Sequence, residues 1–389
     1  MQIAERMKLL GTETAFEVLA KAKALEAQGK SIVHLEIGEP DFDTPMNVKQ
    51  AGIKAISDNK THYGPSSGLP DVRKVIADYS GRIRGMQFSP DEVVVTPGGK
   101  PIMFFVIMAV MNPGDEVIYP NPGFPIYESM IRFMGGKPVP LQLKEENGFA
   151  FSAEDVENLV TPKTKMIIIN TPSNPTGGIL ERKDLEGIAE ISEKHDLWVL
   201  SDEIYSQILY GKEHFSIASL PGMKERTIIL DGFSKTYAMT GWRLGYGIMN
   251  KTIAPHITRL MTNSNSCTAT FTQIAGAEAL TGPQDSVVKM VAEFRRRRDL
   301  FVDGLNKIPG ISCIVPQGAF YVFPNIRKLG KTSQQMSDFL LNEAGVACLP
   351  GTSFGEFGEG YLRFSYANSQ ENIKEALRRI ETAVKKMQQ

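Results

Sequence analysis

Leu230-Asp-Gly-Phe-Ser-Lys-Thr-Tyr-Ala-Met-Thr-Gly-Trp-Arg-Leu-Gly-Tyr246 sets one lysine, Lys235, directly after the apolar run Thr227 to Leu230 and just before a second one, Leu244 to Met249. Short apolar runs of this kind read as buried strands. A lysine where a strand stops presents a primary amine. Such an amine can form a Schiff base with an aldehyde cofactor once partial burial and neighbouring positive charge lower its pKa. Ser234 and Arg243, on either side of it, supply a hydroxyl and a guanidinium fork, the groups that hold a phosphate. Together the three suggest pyridoxal 5'-phosphate.

Strand-like runs recur outward from this stretch: Glu92 to Thr96, Glu116 to Tyr119, Met166 to Asn170 and Leu197 to Ser201, with helical patterns between them. The alternation predicts an α/β fold with a doubly wound, mainly parallel sheet. Ligands of such sheets gather at the carboxyl ends of the strands. Gly98, Asn174, Asp202 and Lys235 all follow strands, a convergence that turn chemistry alone does not explain. The C-terminal part reads as a smaller α+β domain. There a charged helical pattern from Asp285 to Leu305 leads into Gly318-Ala-Phe-Tyr-Val-Phe323, Tyr361-Leu-Arg-Phe-Ser-Tyr366 and a final helix from Glu371. Arg295 to Arg298 is read as a solvated helix face.

The chain has 389 residues, 42% of them hydrophobic, enough for about two domains. Lys and Arg total 43 against 44 Asp and Glu, so nothing global attracts nucleic acid or an acidic membrane surface. Cys267, Cys313 and Cys348 are widely separated and fit neither a disulfide framework nor a zinc cluster. The histidines show no metal-ligand spacing. The longest apolar stretch, Ile102 to Met111, is about half of the ~20 residues a membrane span needs, and the charged N-terminus lacks the apolar core of a signal peptide. A cytoplasmic location is expected.

The opening stretch resembles the Ser-Lys-x5-Gly-x-Arg-x-Gly signature of class I and II aminotransferases, the fold-type I group of pyridoxal phosphate enzymes. Gly38-Glu-Pro-Asp-Phe42, Gly98-Gly-Lys100, Asn174-Pro-Thr-Gly177, Asp202-Glu-Ile-Tyr205 and Arg363 fit the same family in the same order. The resemblance implies a large cofactor-binding domain over 46–289 and a small domain built from 1–45 and 290–389, with the helix Thr14 to Ala27 packed into the latter. It implies that Asp202 keeps the pyridine nitrogen protonated, that Asn174 and Tyr205 donate to the 3'-oxygen, and that Phe124 stacks on the ring. Gly98 and Gly99, at a helix N-terminus, join Ser234 and Arg243 around the phosphate, with Lys100 beside them. Arg363 clamps the substrate α-carboxylate next to Gly38. Tyr63, in Thr61-His-Tyr-Gly64, matches the tyrosine that relatives lend to the neighbouring subunit, which implies a homodimer with shared sites.

The activity expected from the resemblance is transfer of an amino group between an L-amino acid and a 2-oxo acid, with Lys235 as the base and acid. Lyase chemistry on the same fold is an alternative that these motifs do not separate. A non-catalytic regulator fused to a DNA-binding domain fits less well, since Lys235 is retained and the chain opens almost directly on the small-domain helix. No arginine stands between Thr262 and Ser266, where dicarboxylate-specific relatives carry one. Lys100 instead matches a lysine that meets a distal carboxylate in another subgroup, a contact of about 1–3 kcal/mol. Aspartate or glutamate with 2-oxoglutarate is therefore expected. Phe124 and Ile37 pull toward a broader pocket that also takes aromatic or neutral amino acids.

Overall fold

The structure, a computed structural model, describes residues 1–388. Its strands in chain order are β1 (Val33–His34), β2 (Val93–Thr96), β3 (Glu116–Asn121), β4 (Lys137–Gln142), β5 (Thr164–Asn170), β6 (Trp198–Asp202), β7 (Thr227–Gly232), β8 (Gly245–Ile248), β9 (Tyr321–Val322), β10 (Val346–Ala347), β11 (Leu349–Pro350) and β12 (Leu362–Ser365). Seven of them form one sheet in the order β2-β8-β7-β6-β5-β3-β4. β8 runs antiparallel to both neighbours and every other pairing is parallel. This is the expected α/β class. β2, β7 and β8 are buried along their whole length. The continuous apolar sequences follow from covering both faces with helices.

The reversal of β8 matters for the site. Because β2 and β7 are each antiparallel to β8, they run parallel to one another. The carboxyl end of β2, with Gly98 just beyond it, therefore opens on the same side as those of β5, β6 and β7. β4 was not foreseen. Its sequence, Lys-Pro-Val-Pro-Leu-Gln, has two residues without an N–H, and such a segment is tolerated because it forms an edge of the sheet.

β11, β12 and β9 make a second, antiparallel sheet, while β1 pairs in parallel with β10. Residues near both termini are thus stitched together. The helices Asp285–Asn306 and Gln370–Gln388 pack over this region, where Phe294, Phe301, Phe320, Phe364 and Tyr366 share one core. The helix Ala15–Glu26 inserts Val18 and Ala22 into a cluster that holds Leu341, Ala347 and Leu349 and also Ile118 and Ile167 of the seven-stranded sheet. Among the described residues no helix is long and apolar enough to cross a membrane.

The run Arg295 to Arg298 requires correction. Arg295 and Arg296 are exposed, but Arg297 and Arg298 are buried. Arg297 reaches Asp41 at 2.7 Å and lies 4.9 Å from the Phe42 ring centre. Arg298 donates to the Pro316 carbonyl at 3.0 Å and covers Tyr210 at 4.6 Å. At about 100° per residue, four successive helical positions sweep about 300°, so such a run cannot lie on one face.

Candidate active site

At the carboxyl ends of β5, β6 and β7 lies a cavity of about 360 Å³. All the residues singled out above line it except Gly98, which sits just behind Gly99, and Tyr63, which is 89% exposed and elsewhere on the surface. A wider groove of about 740 Å³ lies on the far side of Arg243 and shares only that residue with it. The smaller one gathers Lys235, Asp202, Tyr205 and Arg363.

Lys235 enters this cavity from the turn after β7. Its Nζ donates to the Gly38 carbonyl at 2.5 Å. Burial, followed by the positive charge of Arg363, lowers its pKa to about 8. A free amine is thereby made available near neutral pH, as a nucleophile or proton acceptor needs. Facing it, Asp202 ends β6. Its Oδ2 accepts from the Tyr127 hydroxyl at 2.6 Å and its Oδ1 from the Ile204 N–H at 3.3 Å. Burial pushes its carboxyl up to about 6, in spite of these bonds. A cationic partner would restore its charge.

Asn170, at the end of β5, ties two of these elements together. Its amide donates to the Asp202 carbonyl at 3.0 Å while its Oδ1 accepts from the Asn174 N–H at 2.9 Å. Asn174 Oδ1 in turn accepts from Arg363 Nη1 at 3.2 Å. With that oxygen committed, the Asn174 side-chain NH₂ is the end left to donate into the cavity.

Arg363, on β12, is buried and sandwiched between the rings of Tyr321 at 4.6 Å and Phe354 at 4.9 Å. Its Nη2 donates to the Glu36 carbonyl, and its Nε has no partner among the described residues. A buried donor without an acceptor is costly and fits an anion brought from outside. Tyr321 also meets the Tyr205 hydroxyl at 2.8 Å. Its phenol packs so closely on Gly38 that a Cβ there would fall 2.3 Å from the Tyr321 oxygen.

The other end of the cavity is shaped for an anion. The helix Lys100–Val110 begins without a side-chain cap among the described residues; Pro101 brings no N–H and the Ile102 N–H donates to the Gly99 carbonyl at 3.0 Å, so the Gly99 and Lys100 N–H groups are the ones that can meet an anion there. Gly98 adopts φ 91°, and a Cβ on it would lie 2.3 Å from Arg243 Nη2, so only glycine lets the guanidinium approach this backbone. Arg243 is itself left-handed, at φ 53°, with Nη1 anchored to the Thr240 carbonyl at 2.9 Å. A non-glycine residue held there by its neighbours is a mark of a positioned group. Ser234 completes this end. These residues fit a phosphorylated aldehyde: a phosphate cradle, a lysine amine, a carboxylate for a ring nitrogen and an aromatic face, Phe124.

Lys100 points elsewhere. Its ammonium pairs with Glu13 at the mouth and lies 5.5 Å from the Phe124 ring centre. Sequence reasoning missed Glu13, Tyr127, Asn170 and Tyr321. Only Asn170 carried a signal, a polar residue closing a buried apolar run.

The profile of the aminotransferase class I and II family matches residues 30–380. The chain is 42% identical to a probable aspartate/prephenate aminotransferase of Aquifex aeolicus, over 99% of each chain. It is 39% identical to aromatic-amino-acid aminotransferase 2 of Thermococcus litoralis, again over 99% of each. The structure of the aspartate aminotransferase from Thermus thermophilus with maleate superposes with a TM-score of 0.94 at 38% identity, covering 98% of this chain and 100% of that one. With the cavity they accompany, these likenesses show an enzyme, a transaminase, and the chain belongs to the class I and II aminotransferase family.

Proposed function

We propose that the enzyme holds pyridoxal 5'-phosphate in this cavity and transfers the amino group of aspartate or glutamate to a 2-oxo acid such as 2-oxoglutarate. The observation that carries the reading is the meeting, in one cavity, of a lysine of lowered proton affinity and a buried arginine with an unpartnered N–H. When bound, the cofactor supplies an aldehyde for covalent attachment and a ring that takes up the electrons of the breaking Cα–H bond. Gly98, Gly99, Ser234 and Arg243 hold its phosphate, and Asp202 faces its ring nitrogen. Asn174 and Tyr205 donate to its 3'-oxygen and Phe124 covers its face. Arg363 takes the substrate α-carboxylate through its free Nε and fixes the Cα–H bond toward Lys235. Lys235 accepts the Cα proton on Nζ. Lys100, at the mouth, is the cation offered to a distal carboxylate.

We read residues 46–289 as the large domain and 1–45 with 290–389 as the small one, a division supported by the pairing of β1 with β10. The protein is read as a cytoplasmic homodimer. The test is chemical. Borohydride treatment of the yellow protein should leave the cofactor irreversibly attached to Lys235, and aspartate or glutamate should bleach the untreated form in the absence of any 2-oxo acid. A label on another lysine would overturn the assignment of Lys235. Release of ammonia and pyruvate in place of amino exchange would favour a lyase.

A further inference from the structure

One wall of the cavity is left unused by this reading. Glu13 lies in a strap between two tethers. The Gly11 N–H donates to Ser129 Oγ at 2.8 Å, and Thr14 Oγ1 donates to Ser353 Oγ at 2.7 Å. Ser129 belongs to the helix Ile126–Phe133 and Ser353 to the turn Gly351–Phe354 after β11, so the strap bridges the two parts of the molecule across the mouth. The Glu13 carboxylate pairs with the Lys100 ammonium, and both groups line the cavity. Their side chains are 23% and 47% exposed, so the pair has one side to solvent and one to the site. Phe16, 63% exposed, lines the same mouth, as does Phe124.

We infer that Glu13 is a specificity-determining residue: its carboxylate occupies the Lys100 ammonium that the distal carboxylate of an acidic substrate has to take over. This rests on the role given to Lys100 above. An arriving carboxylate must displace Glu13 or sit beside it, and either outcome leaves two negative groups competing for one cation. An apolar side chain leaves the pair closed and packs against Phe16 and Phe124. The strap therefore handicaps acidic substrates relative to aromatic and neutral ones, while Lys100 draws them in.

Two unreactive probes test this on the cofactor-loaded protein by spectral titration: maleate, with two carboxylates, and 3-phenylpropionate, with one. Glu13→Gln should raise the ratio of maleate affinity to 3-phenylpropionate affinity about two- to fivefold, the scale of a partly exposed ion pair. Glu13→Asp keeps the charge and should hold the ratio near that of the parent. An unchanged or lower ratio in Glu13→Gln overturns the inference, as does an equal rise in Glu13→Asp or a parent that binds neither probe. Failure of the proposed function looks different: the probes respond as stated, yet neither aspartate nor glutamate gives up its amino group.

Discussion

In the role proposed for it, Asp202 meets two demands in one carboxyl group. Burial raises its proton affinity, whereas holding a protonated ring nitrogen requires it to be charged. The conflict has a sign that can be measured on the cofactor-free protein. A carboxyl of pKa about 6 in the folded state and about 3.9 in the unfolded state binds its proton more tightly when folded, so its contribution to stability is complete below about pH 4 and is lost as pH rises through about 6. The loss amounts to about 3 kcal/mol. Asp202→Asn should remove this loss, so that the variant gains on the parent between pH 4 and pH 7 in denaturant unfolding of the apoprotein. Loading with pyridoxal phosphate should abolish the gain, because a cationic partner reverses the balance. Parallel stability curves for parent and variant across that range would show that Asp202 does not titrate there.

Elements bring these residues together through contacts of very different reach, and that difference explains what could be read from the chain. Lys235, Asp202 and Asn174 were legible because each ends a strand or closely follows one, where a single local pattern announces both the element and the ligand side. Tyr127 acts on Asp202 from 75 positions away and Glu13 on Lys100 from 87, and no periodicity marks either. β4 was hidden by its prolines, and Arg297 and Arg298 by their charge. Another long-range group is Arg84, the last residue of the helix Pro70–Arg84. Its Nε donates to Glu203 and its Nη2 to Asp231, both at 2.8 Å, with all three side chains buried. Glu203 also accepts from Ser201 and Ser216 and meets His214 at 2.7 Å. This cluster joins the residue after Asp202 to the strand that leads to Lys235. Arg84→Met leaves two buried carboxylates short of their cation and should destabilise the protein by about 3–5 kcal/mol. A drop of less than 1 kcal/mol in the unfolding free energy would mean that the cluster relaxes or takes in water.

For the whole molecule the open question is what covers its apolar surface. The helix Met46–Ser57 leaves Met46, Ile53 and Ile56 at least half exposed. Tyr63 projects from the loop beyond it, with the neighbouring His62 carbonyl held by Thr270 Oγ1 at 3.3 Å. The groove behind Arg243 is lined by Trp242, Thr268, Ala269 and Phe271, close to the same helix N-terminus that carries Thr270. The homodimer proposed above would bring the exposed Tyr63, which lies outside the cavity of its own chain, to the open groove beside Arg243 of a second copy. In a two-fold dimer each site would pair Lys235 of one subunit with Tyr63 of the partner subunit. Mixing Tyr63→Ala with Lys235→Ala, each impaired alone, then has a definite arithmetic. Half of the randomly paired dimers are hybrids, and each hybrid has one site with both groups intact and one with neither, so about a quarter of the sites recover. Activity in the mixture should rise to about that fraction of the parent's after subunits exchange, and should stay at the single-variant level when exchange is blocked by cross-linking beforehand. A fully active monomer at every concentration in sedimentation would rule the shared site out.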